Sequence, residues 1–285
     1  MDPDTLETIR EALSEGRAIP FLGPGVLRLV ENCPLPSTAE DLVRKLVAKA
    51  SVPHKLLKNL TGAAQFLENF KHRRTVAAAM TEAFQSAVPP TALHEYLASL
   101  SLPLIVHAWY DDLPRKALAG QADWGVVQGV SQAEHFGEWT HWFGPDGARL
   151  PEGADSPAAS RWRTILYEPI GSVAPATNYL VSDSDYVEVL TEIDIQTPIP
   201  SRIHEIRKGR NFLYLGCRFN TQLERIFAHQ ISKRSSDKHW AVLPEPPTRN
   251  ETRFLEEHGI ERIDASLDEF AAELMSGQTS LALAS

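Results

Sequence analysis

Four short runs hold the residues whose types and spacing bear on chemistry. Phe21-Leu22-Gly23-Pro24-Gly25-Val26 places two glycines in a turn after an apolar stretch. Such a turn lets the backbone approach a pyrophosphate and present N–H groups to its oxygens, although Gly-Pro-Gly is also a plain tight turn and Pro24 removes one donor. The run is neither a Walker loop, lacking Gly-Lys-Ser/Thr, nor a full Gly-x-Gly-x-x-Gly. In Leu104-Ile105-Val106-His107-Ala108-Trp109-Tyr110-Asp111-Asp112 an apolar stretch runs into polar and aromatic residues. His107 with Asp111 can form an acid–base constellation there, while Asp111-Asp112 reads either as a carboxylate pair or as the cap of a following helix. Ile165-Leu166-Tyr167-Glu168-Pro169-Ile170-Gly171-Ser172 and Leu213-Tyr214-Leu215-Gly216-Cys217-Arg218 are the remaining two. Cys217 reads as a small pocket or core residue, a nucleophile only if its thiol pKa were lowered. His94, between Leu93 and Leu97 on an amphipathic helix, reads as structural. His135 and His141 stand six apart with no further ligands at usable spacing, and Cys33 and Cys217 supply none, so no metal is expected.

Positioning these runs requires elements whose ends meet. Asp2 and Pro3 open a helix carrying Leu6, Ile9 and Leu13 and ended by Gly16, and a strand over Ala18 to Leu22 follows. Ser37-Thr38-Ala39-Glu40 reads as a capping box, with further helices over about 56–70, 75–86 and 91–99. Residues 28–100 are thus a helical insert, followed by the strand Leu104-Ile105-Val106. The last hundred residues alternate strand and helix: Asn211 to Leu215, a helix capped by Asn220, His239 to Leu243, Ile260 to Ile263, and capping boxes at Thr248-x-x-Glu251 and Ser266-x-x-Glu269. The fold class is α/β, a doubly wound Rossmann-like parallel sheet in a single domain over 1–285. Between about 119 and 163 the pattern dissolves into Gly, Pro, Asp and Ser with Trp124, Trp139, Trp142 and Trp162, which reads as an irregular lid or excursion. Its tryptophans can pack internally or stack an adenine or a partner side chain.

Composition excludes several classes. The net charge of −9 argues against a general nucleic-acid binder, and Lys71-His72-Arg73-Arg74, the one basic run, reads as a solvated helix end. No uninterrupted apolar run reaches the length of a membrane span, the opening Met1-Asp2-Pro3-Asp4 is acidic, and two cysteines fit a reducing compartment, so the expected location is cytoplasmic.

Taken in order, the four runs resemble the sirtuin-like family, including its prokaryotic branch, whose members cleave NAD in defence against phage. Phe21 to Leu27 is similar to Phe-Leu-Gly-Ala-Gly-x-Ser, and His107 to Asp111 aligns with Thr-Thr-Asn-Tyr-Asp. Glu168 to Gly171 resembles Lys-Leu-His-Gly, and Leu213 to Arg218 resembles Phe-x-Gly-Tyr-Ser. Leu93 to Ala98 and Asp185-Tyr186-Val187 look like family flanks, and the likeness spans roughly 15–275. It implies a nucleotide site for NAD or ADP-ribose at Gly23, Gly25, Val26, Trp109, Asp111, Gly171, Gly216 and Cys217. It also locates the departures: Trp109 stands for the family's Asn, Ile170 for its His, Leu27 for its Ser and Pro24 for its Ala. An indole has one donor and no acceptor, and an isoleucine has no proton chemistry, so neither replaces the lost group. Two expectations follow. One is a catalytically inactive module that binds a nucleotide, a protein partner or a second copy of itself. The other is an active NAD glycohydrolase with His107 and Asp111 as displaced catalytic residues. No zinc-binding cysteine quartet is present, which counts against action on acetyl-lysine.

Overall fold

The computed structural model describes residues 2–48, 51–192 and 198–282, leaving Met1 outside them. Among the described residues ten strands are formed: β1 (Ala18–Leu22), β2 (Leu104–His107), β3 (Trp124–Gly129), β4 (Thr140–Phe143), β5 (Thr164–Glu168), β6 (Gly171–Ser172), β7 (Asn178–Tyr179), β8 (Asn211–Leu215), β9 (His239–Val242) and β10 (Ile260–Ile263). Eight of them make one sheet in the order β10-β9-β8-β1-β2-β5-β3-β4, while β6 and β7 pair separately. Every neighbour in the large sheet is parallel except β3 with β4.

Strand side chains alternate between two buried cores, as a sheet covered on both faces requires. Ile19, Phe21, Leu104, Val106, Ile165, Tyr167, Phe212 and Tyr214 face one core. Leu22, Ile105, Leu166, Leu213, Leu215, Trp240 and Val242 face the other. The second core is covered by α1 (Pro3–Ser14), by α5 (Ala92–Ser99), which follows three insert helices, and by the last helix. Those insert helices, α2 (Ala39–Val47), α3 (Leu60–Lys71) and α4 (Arg73–Phe84), lie on the first core with α7 (Asp183–Glu192), α8 (Ser201–Arg207), α9 (Gln222–Ser232) and α10 (Arg249–Glu257). A short α6 (Leu113–Leu118) follows β2, and α11 (Leu267–Ala282) closes the chain. Among the described residues no helix is long and apolar enough to cross a membrane.

Local side-chain chemistry sets the helix starts. The boxes at Thr248/Glu251 and Ser266/Glu269 close as expected. The cap of α9 is Thr221 with Glu224, not Asn220, and Thr38 caps Asp41, one position beyond the Ser37-to-Glu40 reading. Two larger expectations are corrected. Residues 119–163 are not an irregular excursion throughout, because β3 lies inside the sheet and β4 forms its antiparallel edge. Gly125 hid that strand: a Cβ there would lie 2.1 Å from the ring of Trp162, so the glycine admits an indole that a side chain would exclude. Trp162 in turn stacks on Trp142, with centroids 5.8 Å apart. Second, the basic run is not wholly solvated. Arg73 reaches Asp185 at 2.6 Å, Glu68 at 2.5 Å and Glu134 at 3.0 Å and donates to the Tyr179 carbonyl, tying the insert to β7 and α7.

Candidate functional site

In a doubly wound sheet the ligand crevice opens at the carboxyl ends of the strands, where the strand order reverses. Here the chain moves from β1 to β2 on one side and later to β8 on the other, so the crevice belongs between the loops after β1 and β8. Those loops carry Gly23, Gly25 and Val26, and Gly216 and Cys217. They are packed directly together. Gly23 N–H donates to the Leu215 carbonyl at 2.9 Å, and Gly25 N–H to the Gly216 carbonyl at 2.9 Å. A Cβ on Gly25 would lie 2.8 Å from the Gly216 oxygen, and one on Gly23 would lie 2.8 Å from Cys217 Sγ. Gly216 itself has φ +65°, where a side chain would meet Val26 N at 2.4 Å. The glycines thus serve a close seam between backbones, and the N–H groups of Gly23 and Gly25 are spent within the protein. Cys217 is buried and donates to the Phe21 carbonyl at 3.4 Å, and burial pushes its thiol far above the ordinary value, which leaves it inert as a nucleophile.

Trp109 and Ile170 are buried in the same core, 5 % and 4 % exposed. The indole Nε1–H donates to the Pro36 carbonyl at 2.8 Å, so the ring is held between the end of β2 and the start of the insert. Its ring stands nearly perpendicular to that of Phe84, with centroids 6.0 Å apart, and tilted against that of Tyr110 at 5.1 Å. Ile170 is followed by Gly171, whose φ of +78° and approach to the Asn178 carbonyl, 2.1 Å from a notional Cβ, turn the chain into the β6–β7 pair.

Beside these buried apolar side chains lies a polar network at the same end of the sheet. His107, the last residue of β2, meets Asp111 at 3.1 Å through Nε2. The other Asp111 oxygen accepts from Leu113 N–H, the first of α6, at 3.1 Å, while the N-cap of that helix is Asp112, whose carboxylate makes no cap bond and instead pairs with Lys116 at 2.8 Å. On the far side His107 Nδ1 faces Glu168 Oε1 across 4.0 Å, and neither atom has a hydrogen-bond partner among the described residues. The other Glu168 oxygen accepts from Gln128 at 2.9 Å, and Gln128 in turn accepts from Asn178 at 2.7 Å.

The protons in this network follow from burial and neighbours. Burial disfavours charge on His107, but Asp111 and then Glu168 outweigh it, and the imidazole lies above its ordinary value. Burial would raise Asp111, but the imidazole and its hydrogen bond leave it below the ordinary range. Glu168 is pushed up to about 8 by burial, with His107 and Gln128 opposing less strongly. The network thus leans toward an ion pair between His107 and Asp111, beside a Glu168 carboxyl whose burial favours the protonated form. It has the protons for acid–base work, yet none of the three is more than 2 % exposed. His94 stays outside this chemistry. It completes the capping box of α5 with Thr91, and burial lowers its pKa to about 4.

Sequence reasoning brought out His107 and Asp111 as a pair and missed Glu168, Gln128 and Asn178. Glu168 stood in view at the end of an apolar strand; Gln128 lay in the segment read as irregular. It also missed Glu138, which joins His135 and His141 in a cluster of possible metal-ligand atoms.

No curated relative matches the chain. A family model described as a SIR2-like domain matches residues 103–263, more than half of the chain, and the protein therefore belongs to the SIR2-like family.

Proposed function

We propose that this SIR2-like chain is a cytoplasmic, catalytically inactive module that acts by binding rather than by cleaving a dinucleotide. The observation that carries this reading is Trp109: a buried indole hydrogen-bonded to Pro36 occupies the position aligned with the family's reacting Asn, with Ile170 buried at the position of its His. Neither side chain can position a ribose hydroxyl or move a proton. The seam between the glycine turn and Gly216 favours a protein partner, or a second copy of the chain, over NAD or ADP-ribose, because a pyrophosphate would have to displace two backbone hydrogen bonds. The test has two arms. Incubation of the purified chain with NAD is expected to release no nicotinamide, and titration calorimetry with NAD and with ADP-ribose is expected to show no heat of binding. Heat with either ligand that disappears in Gly25→Leu would restore the nucleotide arm.

A second reading has its own observation, the facing pair of orphaned atoms on His107 and Glu168. In that reading the chain is an NAD glycohydrolase of the prokaryotic defence branch, whose catalytic groups have moved to His107 and Asp111 and are exposed when the insert opens. Nicotinamide release that is abolished by His107→Ala would establish it and overturn the first.

A further inference from the structure

Beyond the end of β3 the chain turns through residues 130–139 and returns as the antiparallel β4. The turn is built from backbone hydrogen bonds: His135 N–H to Ser131 at 2.9 Å, Glu138 N–H to His135 at 3.0 Å, and Val130 N–H to the Trp139 carbonyl at 3.2 Å. It sets His135 edge-on to His141 of β4, with ring centroids 4.5 Å apart. Glu138 comes to 2.6 Å from His141 Nε2. One ligand-type atom from each of the three lies within 4.8 Å of the others.

We propose that His135, Glu138 and His141 bind a divalent transition-metal ion, zinc in the first instance, which clamps the β3–β4 turn to the edge strand and keeps a coordination position open. Two imidazoles and one carboxylate are a donor set that zinc accepts with a fourth ligand from solvent or from a bound molecule. Metal–ligand bonds of about 2.0–2.2 Å in a tetrahedron place donors roughly 3.4 Å apart, so rotamer adjustments at the half-buried His135 and the exposed Glu138 close the set. His141 is the fixed member, buried in β4 and edge-on to Phe143 at 6.2 Å. Arg149 bonds both Glu138 oxygens, at 3.1 and 2.9 Å. It can keep one oxygen while the other turns to the metal, the usual outer partner of a ligating carboxylate, but as a cation it also repels the ion. The arrangement owes nothing to the crevice between β1 and β8, and its ligands come from the turn and the edge strand alone.

The experiment is equilibrium dialysis of the full chain against zinc, with elemental analysis, together with the visible absorption of a cobalt(II) complex. One metal per chain and a tetrahedral-type cobalt spectrum are expected. His135→Ala and Glu138→Gln, both away from the core, should fold and weaken binding roughly tenfold or more. A second histidine pair serves as the internal control. His229 and His258 stack at 4.2 Å in the groove between α9 and α10, and His258→Ala should leave the stoichiometry unchanged. Failure of the native chain to retain zinc, or retention that survives in His135→Ala and falls in His258→Ala, overturns the assignment.

Discussion

Trp109 carries two roles that a single substitution separates. Trp109→Ala removes a buried aromatic and its hydrogen bond to Pro36, and should cost roughly 3–5 kcal/mol, read as a lower urea midpoint. Even so it should release no nicotinamide from NAD, because Ile170 still offers no proton chemistry; turnover in that variant would contradict the inactive reading. Glu168 supplies the clearest pH signature. Its folded pKa of about 8 lies above the ordinary 4.5, so between those values the folded chain keeps a proton that the unfolded chain releases. The resulting stability is complete below about pH 4.5 and declines as pH rises toward 8, by up to about 1.4 kcal/mol per pH unit. The raised His107 acts in the same direction, losing its contribution as pH passes its folded value. Glu168→Gln should flatten this decline in urea midpoints measured from pH 5 to 8.5, and an unchanged slope would mean that the carboxyl is ionised when folded.

At the scale of elements, two joints decide whether the site end of the sheet holds together. Gly216→Ala forces a side chain into a left-handed conformation against the backbone of Val26, at a cost of about 2 kcal/mol or more. It should also open the loop seam, seen as faster hydrogen exchange at the Gly25 amide. Arg73→Ala leaves the buried Asp185 carboxylate without its cation and should cost about 3 kcal/mol, little relieved by salt. Both joints were invisible in the sequence for the same reason: each depends on residues far apart in the chain meeting in space. Strands such as β1, β8 and β10 were legible because apolar runs bounded by turn residues announce themselves locally. The strand β3 was not, since Gly125 and Gly129 interrupt it and its burial is supplied by Trp162 and by the turn after β5. Likewise, the indole at 109 and the isoleucine at 170 were readable as residue types without proton chemistry, whereas the close packing of the loops after β1 and β8 was not, because glycine permits close approach to a phosphate and to another loop equally well.

At the scale of the whole molecule, the sheet has a protected middle and two unlike rims. Amide exchange should be slowest in β1, β2, β5 and β8, which are paired on both sides and covered on both faces, and faster in the rim strands β4 and β10. Uniform exchange across all eight strands would indicate that the two flanks do not open independently. The order β2-β5-β3 has an outcome for biogenesis. Both outer members of that trio leave the ribosome before the one that joins them, so a nascent fragment halted short of Thr164 has two apolar ribbons separated by the width of an absent third. Such a fragment is exposed to capture by chaperones, and translation through Glu168 is the event that lets this flank consolidate.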